Sequence, residues 1–190
     1  MKLYISVVCG AEVPSLSLNR SIIHYVKLFK KALRLKLPNE ERGTRLLLDE
    51  EEYLRWFNSA LRTLSSARGD LERGDYNWAC FKAQQAAELA VKALLRGLGL
   101  SAYGHSVSRL LREVSSRGVE APSGVVEAAS SLDKLYVPTR YPNAWAEGSP
   151  HEYYTRSGAE NALNQAKDIV EWIERSWRSL KSEGGLGSGS

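Results

Sequence analysis

Six small or aliphatic residues recur at three- and four-residue intervals between Tyr76 and Gly99, and they constrain the fold more than any other feature. At about 100° per residue they fall on one side of an α-helix. They are Ala79, Ala83, Ala86, Ala87, Ala90 and Leu94. Because most of these side chains are short, a second helix can approach closely along the stripe. The stripe therefore predicts a central helix with closely packed neighbours.

A second face of the same segment mixes aromatic rings with amide and charged side chains. Its members are Trp78, Phe81, Gln85, Glu88 and Lys92. The last three stand about one turn apart, so they can pair as exposed neighbours, each pair contributing a few tenths of a kcal/mol, roughly 0.2–0.5. They can also form a buried network, in which an unsatisfied group costs about 1–3 kcal/mol. The residues alone favour the exposed pairing, since charged helix faces are usually solvated.

Hydrophobic periodicity predicts four further helices after Leu48. They run from an N-cap at Asp49 to about Leu71, from an N-cap at Ser106 to just before Gly118, from about Ser123 until Pro138, and from a capping box of Ser157 and Glu160 to about Leu180. On the helix before Pro138, the apolar face is predicted to carry Val126, Ala129, Leu132 and Leu135. No strand pattern follows Leu48. We therefore expect an all-α, antiparallel bundle of four to five helices.

Charge divides the chain into segments. Residues 1–45 hold nine Lys and Arg against three Asp and Glu, whereas residues 46–190 hold 17 against 19. We therefore expect a basic N-terminal extension at 1–45, whose structure the sequence leaves uncertain, a helical bundle at 46–181 and a flexible Gly/Ser tail at 182–190. Three interpretations of the extension stay open, namely an amphipathic surface helix, a swapped or partner-binding arm and a wrongly assigned upstream start.

Cysteine usage and motif content argue against several classes of site. Cys9 and Cys80 match no zinc, redox or disulfide spacing, which is typical of a protein in a reducing compartment. The G-x-x-x-x-G-K-[ST], H-E-x-x-H and G-x-S-x-G motifs are absent from the sequence. No run reaches the roughly 18 apolar residues of a membrane-spanning helix. We expect a cytoplasmic protein with no metal site and no cofactor.

Three sequence blocks together indicate a family. They are GDYNWACFKAQQAAELAVKALL, then GHSVSRLL, then LYVPTRYP followed by YYTRSGAENALNQAKDIVEWI. The chain resembles the HEPN family in these blocks, and the resemblance covers about Asp49 to Trp177. It implies a bundle of four to five helices that is usually a homodimer. It also implies a nucleotide-binding role and, for many members, a minimal nucleotidyltransferase partner in a toxin–antitoxin pair.

The resemblance also bears on catalysis. A number of family members are metal-independent ribonucleases that carry an Arg-x4-6-His motif, whose Arg steadies phosphate and whose His moves a proton at the 2′-hydroxyl. Here ten residues separate Arg140 from His151, and His105 precedes Arg109 in the reverse order. We therefore expect a catalytically weak or inactive protein that binds a nucleotide, RNA or a partner nucleotidyltransferase.

The expected binding residues lie on the central helix and in two loops. They are Gln85, Glu88, Lys92, His105, Tyr136, Arg140 and Tyr141. The alternative is a metal-independent ribonuclease toxin that uses Arg140, His151 and Tyr153. Aromatic side chains around the long loop, including Trp145 and Tyr154, are suited either to stacking on a base or to packing on the bundle.

Overall fold

Five α-helices make up most of residues 48–185, the range that this computed structural model describes. They are α1 (Glu50–Arg73), α2 (Tyr76–Gly97), α3 (Val107–Ser115), α4 (Ser123–Asp133) and α5 (Arg156–Gly185). Two single-turn 3-10 helices, Pro142–Ala144 and Pro150–Glu152, lie in the long connection before α5. No strand occurs between residues 48 and 185. The predicted all-α bundle is confirmed.

Helix α2 is the central element, as the stripe of short side chains predicts. It packs against α1, α3, α4 and α5, and all six residues of the stripe are fully buried. Helices α1 and α5 meet beside it, where the rings of Tyr53 and Trp177 stack with centroids 4.1 Å apart. This arrangement encloses α2 on several sides, so its polar residues are drawn into the interior.

Gly97 lets α2 lie directly against an aromatic ring of α5. A Cβ atom added at this position would stand 2.5 Å from Cζ3 of Trp177 and 3.0 Å from Cβ of Tyr53. Real side chains do not approach this closely, because close-packed interiors leave no room for an extra carbon. The glycine is therefore required by packing.

Several helix boundaries follow the predicted local signals. Asp49 caps α1 by accepting a hydrogen bond from the Glu52 backbone N–H at 3.0 Å, and Ser106 caps α3 through Arg109 N–H at 3.2 Å. Gly74 ends α1 in the left-handed conformation, with a φ of 89°. These boundaries lie where the sequence predicts them because each is determined by residues within one helical turn.

The predicted end of α4 is wrong. The helix ends at Asp133 rather than at Pro138, and the chain then tightens into turns, with Leu135 N–H donating to Leu132 O at 2.9 Å. Pro138 disfavours helical geometry at Val137, and it can neither donate a hydrogen bond to the Lys134 carbonyl nor avoid a clash with it, so a regular α-helix cannot continue through this segment.

The predicted apolar face of α4 is wrong at one of its four residues. Val125 is buried with Ala129 and Leu132, whereas Val126 is exposed. The two valines are adjacent, and periodicity alone does not distinguish which of them faces the core.

The predicted capping box of α5 is wrong as well. The helix begins at Arg156, and the Oγ1 atom of Thr155 accepts from the Gly158 N–H at 3.2 Å. Ser157 is therefore already inside the first turn, and Glu160 lies 3.7 Å from the guanidinium of Arg156 instead of bonding to the cap. A capping box does form upstream, between Ser149 and Glu152.

Two of the predicted segments lie wholly or partly outside the described residues. The basic extension at 1–45 lies outside them, as do residues 186–190. Helix α5 continues to Gly185, four residues into the segment predicted as a flexible tail. None of the five described helices has the length and hydrophobicity that crossing a bilayer requires.

Candidate functional site

A buried carboxylate is the centre of the polar network on α2. Glu88 is only 3% exposed. Its oxygens accept from Lys92 Nζ at 2.8 Å, Gln85 Nε2 at 2.9 Å, Gln84 Nε2 at 3.2 Å and His105 Nδ1 at 3.2 Å. A carboxylate offers about four lone-pair sites, so these donors satisfy it fully. The exposed pairing that the residues alone favoured is wrong, since Lys92 is also buried, at 8% exposure.

Gln84 completes this network, although the sequence did not identify it as a site residue. Its side chain is fully buried. Its Nε2 group donates to Glu88 and, at 2.8 Å, to the backbone oxygen of His105, while its Oε1 accepts from Gln85 at 2.6 Å. Its position four residues before Glu88 could have indicated this contact. On the helical wheel, however, Gln84 lies between the stripe of short side chains and the polar face. Gln84 thus ties the loop before α3 to the central helix.

His105 is exposed and yet fixed in position. Its side chain is 55% exposed, and its Nδ1 atom lies 3.2 Å from one oxygen of Glu88 and 3.3 Å from the other. Its ring stacks on Tyr136, with centroids 4.5 Å apart and planes inclined by 13°. These contacts hold the imidazole in one orientation, together with the hydrogen bond that the Gln84 side chain donates to the backbone oxygen of His105.

Asp133 fixes the same loop from the other side. Its Oδ1 accepts from the Val107 N–H at 2.6 Å, and its Oδ2 accepts from the hydroxyls of Ser106 at 2.7 Å and Ser108 at 2.5 Å. A carboxylate at a helix N-terminus is favourable because it meets the positive end of the helix dipole. Sequence reasoning missed this contact, which joins residues 25 to 27 positions apart. It couples the position of His105 to the end of α4.

Arg140 lies among three aromatic rings. Its Cζ atom is 4.3 Å from the Phe81 centroid, 4.5 Å from that of Tyr136 and 4.9 Å from that of Tyr141. Its Nε and Nη2 atoms donate to the backbone oxygen of Tyr136 at 3.0 and 2.7 Å. In residues 48–185 no carboxylate lies within ion-pair distance of this guanidinium. Its positive charge is therefore held in position without an ion-pair partner among residues 48–185.

Tyr136 joins the imidazole and the guanidinium into one surface. The ring centroid of His105 and the Cζ atom of Arg140 each lie 4.5 Å from the ring centroid of Tyr136. The imidazole centroid and the Cζ atom are therefore at most about 9 Å apart. Tyr141 adds a ring that is 47% exposed. We call this surface, formed by Phe81, His105, Tyr136, Arg140 and Tyr141, the His105–Arg140 face. Glu88 and Lys92 are buried behind this surface. Glu88 contacts it through Nδ1 of His105, and Lys92 pairs with Glu88.

No hydrogen bond, ion pair or ring contact joins the residues of the ribonuclease alternative to one another in the described part of the chain. His151 is exposed on the 3-10 turn Pro150–Glu152. Tyr153 stacks on Trp145 at 3.9 Å, and its hydroxyl donates to the backbone oxygen of Glu147. Among the contacts of the described residues, none joins Arg140 to either His151 or Tyr153. Trp145 and Tyr153 thus pack against their own loop.

Two side chains whose pKa values are raised by burial are poor nucleophiles. Burial raises the pKa of the Cys80 thiol to about 11. Burial, with a smaller contribution from Cys80, raises the pKa of Tyr154 to about 12. Both groups are therefore protonated at neutral pH, and neither supplies the anion that attacks a substrate. In the described part of the chain, no three His, Cys, Asp or Glu residues are arranged to hold a metal ion.

Comparisons with known proteins identify relatives that match most of the helical bundle. The family model described as "HEPN domain" matches residues 53–176. The Methanocaldococcus jannaschii protein named "Putative toxin MJ1304" is 29% identical over 119 residues, which cover 58% of this chain and 78% of that protein.

Two crystal structures share both fold and sequence with the chain. That of TT1696 from Thermus thermophilus has a TM-score of 0.64 and 45% identity, covering 66% of this chain and 98% of its own. That of ST0689, described as an archaeal HEPN homologue, has a TM-score of 0.55 and 40% identity, covering 64% and 94% respectively.

Proposed function

The chain belongs to the HEPN domain family, and we propose on that basis that it is a nucleotide- or RNA-binding component of a toxin–antitoxin-type system. We propose further that it is catalytically weak or inactive, and that it acts in the cytoplasm as a homodimer beside a minimal nucleotidyltransferase. The similarity to the Methanocaldococcus jannaschii protein named as a putative toxin supports the assignment to such a system.

One observation carries the binding proposal, namely the guanidinium of Arg140, which has no ion-pair partner in the described range and lies on an aromatic surface next to the exposed His105. A guanidinium suits phosphate because its N–H groups match the phosphate oxygens. An exposed ring such as Tyr141 suits an unstacked base, since base–aromatic stacking contributes about 1–3 kcal/mol. Single-stranded RNA and free nucleotides present both groups together.

The same geometry supports weak catalysis or none. The ribonuclease alternative needs a histidine beside the phosphate that Arg140 would hold, and His151 has no contact with Arg140 in the described residues. For proton transfer, His151 would have to come within hydrogen-bond reach of a hydroxyl on a ligand held at Arg140. Binding is accordingly the function that the His105–Arg140 face supports best.

We expect Arg140→Gln to weaken binding of a fluorescent single-stranded RNA by about tenfold or more, because a hydrogen bond to a charged group contributes roughly 1.5–3 kcal/mol. Fluorescence anisotropy at fixed salt measures the Kd. The matched control is Arg112→Gln, which removes an exposed arginine of α3 away from the face and leaves the Kd nearly unchanged. Thermal unfolding of each variant verifies that the fold is retained.

Equal loss of affinity in both variants would mean that charge alone attracts the RNA and would contradict a specific site. The ribonuclease alternative is tested in the same samples with a chelator present. Cleavage of the RNA by the wild type, lost in both Arg140→Ala and His151→Ala, would replace the binding proposal with the toxin enzyme.

A further inference from the structure

Trp78 is an exposed aromatic residue of α2 that lies just outside the His105–Arg140 face. Of the chain's five tryptophans, all within the described residues, it is the most exposed, at 45%. Its ring meets that of Phe81 with centroids 6.1 Å apart and planes inclined by 78°. Edge-to-face contact of this kind is a preferred geometry of aromatic pairs, so it holds the tilt of the indole. The helix therefore presents a large, oriented ring to the outside.

The indole lies near the guanidinium of Arg140, because Phe81 contacts both. The Phe81 centroid is 6.1 Å from that of Trp78 and 4.3 Å from the Arg140 Cζ atom, so the indole and Cζ are at most about 10 Å apart. The residues that precede them in the chain are hydrogen-bonded to each other. Buried Asn77 donates from Nδ2 to the backbone oxygen of Thr139 at 3.0 Å. This bond holds the turn that carries Arg140 against α2.

Two exposed rings are thus close to one cation. Tyr141 is 47% exposed, with its centroid 4.9 Å from the Arg140 Cζ atom, and Trp78 is similarly exposed on the side of Phe81. Phe81 and Tyr136, the other rings around the guanidinium, are partly buried. Trp78 and Tyr141 therefore offer the most open aromatic surfaces next to this charge.

A dinucleotide matches this arrangement of groups. Its phosphodiester joins two nucleosides, so one anionic group stands between two flat bases. A guanidinium suits the phosphate, and aromatic rings stack on any base. A mononucleotide has a single base and can occupy only one of the two rings at a time. The second ring is used only by a ligand of two or more nucleotides.

We propose that Trp78 is a second base-stacking residue, and that the ligand is a single-stranded segment of at least two nucleotides. One base stacks on Trp78, the next stacks on Tyr141, and the phosphodiester between them lies at Arg140. This inference rests on the proposed binding function, and it selects an oligonucleotide rather than a free nucleotide as the ligand.

The test compares AMP with the dinucleotide ApA as competitors of a fluorescent single-stranded RNA. AMP carries a phosphate monoester with a charge of about −1.5 to −2, whereas the phosphodiester of ApA carries a single negative charge. Electrostatic attraction alone therefore favours AMP. We expect ApA to bind about tenfold more tightly than AMP, because it stacks one further base.

Substitutions at Trp78 should change this preference selectively. Trp78→Ala should reduce the advantage of ApA to about twofold or less, while AMP, which can still stack on Tyr141, should keep its Kd within about twofold. Trp78→Phe keeps an aromatic face and should retain most of the preference. The matched control is Leu54→Ala, which removes an apolar side chain of similar exposure, 43%, from α1, a helix that contributes no residue to the face. It should leave the ratio of the two Kd values unchanged.

The outcomes separate this inference from the function on which it rests. Failure of the labelled RNA, ApA and AMP to bind would overturn the proposed function. RNA binding with ApA no tighter than AMP, or an ApA preference that persists in Trp78→Ala, would overturn the role of Trp78 alone. Sedimentation velocity tests another occupant of this surface. Dissociation of a dimer by Trp78→Ala, with the ApA preference intact, would show that the indole contacts a second copy of the chain.

An NMR spectrum of the indole N–H groups tests the contact directly in the wild-type protein. The chain has five tryptophans, and the Trp78→Phe spectrum identifies the signal of Trp78. We expect saturating ApA to shift this signal and to leave those of the buried Trp172 and Trp177 in place. An unmoved Trp78 signal at saturation would contradict the inference, whatever the variants do.

Discussion

Replacing Glu88 with alanine is expected to lower the free energy of unfolding by about 3–5 kcal/mol, because it leaves a buried charge without its partner. Lys92 is 8% exposed, and its ammonium lies 2.8 Å from the carboxylate. The amides of Gln84 and Gln85 and the Nδ1 of His105 lose the same acceptor. Urea unfolding monitored by circular dichroism gives the change.

The double variant Glu88→Ala/Lys92→Ala should be less destabilised than Glu88→Ala, since it removes the unpaired ammonium as well. We expect a coupling energy above about 1 kcal/mol from the complete double-mutant cycle. The control cycle uses Glu171 and Arg175, which have the same spacing and order on α5 but are exposed and 4.0 Å apart. Their coupling should stay under about 1 kcal/mol. A Glu88–Lys92 coupling as small as the control value would show that the pair is effectively solvated.

Adding a single methyl group at Gly97 should destabilise the bundle by about 1–3 kcal/mol through overpacking. In Gly97→Ala the new Cβ would stand 2.5 Å from Cζ3 of Trp177, whose ring is itself stacked on Tyr53 at 4.1 Å. Both rings would have to shift together. The usual gain from replacing a helical glycine, about 0.5–1 kcal/mol, offsets only part of this cost.

Gly124→Ala is the matched control for this prediction. Gly124 is exposed on α4, and a Cβ added there meets no atom within 4 Å. The substitution should therefore stabilise the protein by about 0.4–1 kcal/mol, chiefly by restricting the unfolded chain. Thermal and urea unfolding should show effects of opposite sign at the two glycines. A stabilised Gly97→Ala variant would mean that α5 does not pack against α2 at this point.

The fold could be predicted where local residues determine it. The buried stripe of α2 and the caps at Asp49 and Ser106 depend on neighbours within one turn, and the structure has them as expected. The buried valine of α4 was misassigned because Val125 and Val126 are adjacent and periodicity accepts either, and the cap of α5 was misassigned because Thr155 and Ser157 are both acceptable N-cap residues. One-residue choices of this kind are decided by tertiary packing, which a single sequence does not display.

The site was harder to predict because its contacts connect distant parts of the chain. Periodicity placed Gln85, Glu88 and Lys92 on one face, but it could not tell that a loop would cover them and bury the carboxylate. The supporting contacts of Gln84 with His105 and of Asp133 with Ser106 span more than twenty residues. Arg140 was identified through the family resemblance, while its three aromatic neighbours emerge only in the folded chain.

An NMR titration of the ¹⁵N-labelled protein with single-stranded RNA tests most directly whether the His105–Arg140 face binds the ligand. We expect the largest amide shifts at His105, Tyr136, Arg140 and Tyr141, with smaller shifts at Gln84 and Gln85, whose side chains support the loop. Largest shifts around His151 and Tyr153, or no shifts at RNA concentrations well above the Kd measured by anisotropy, would contradict it.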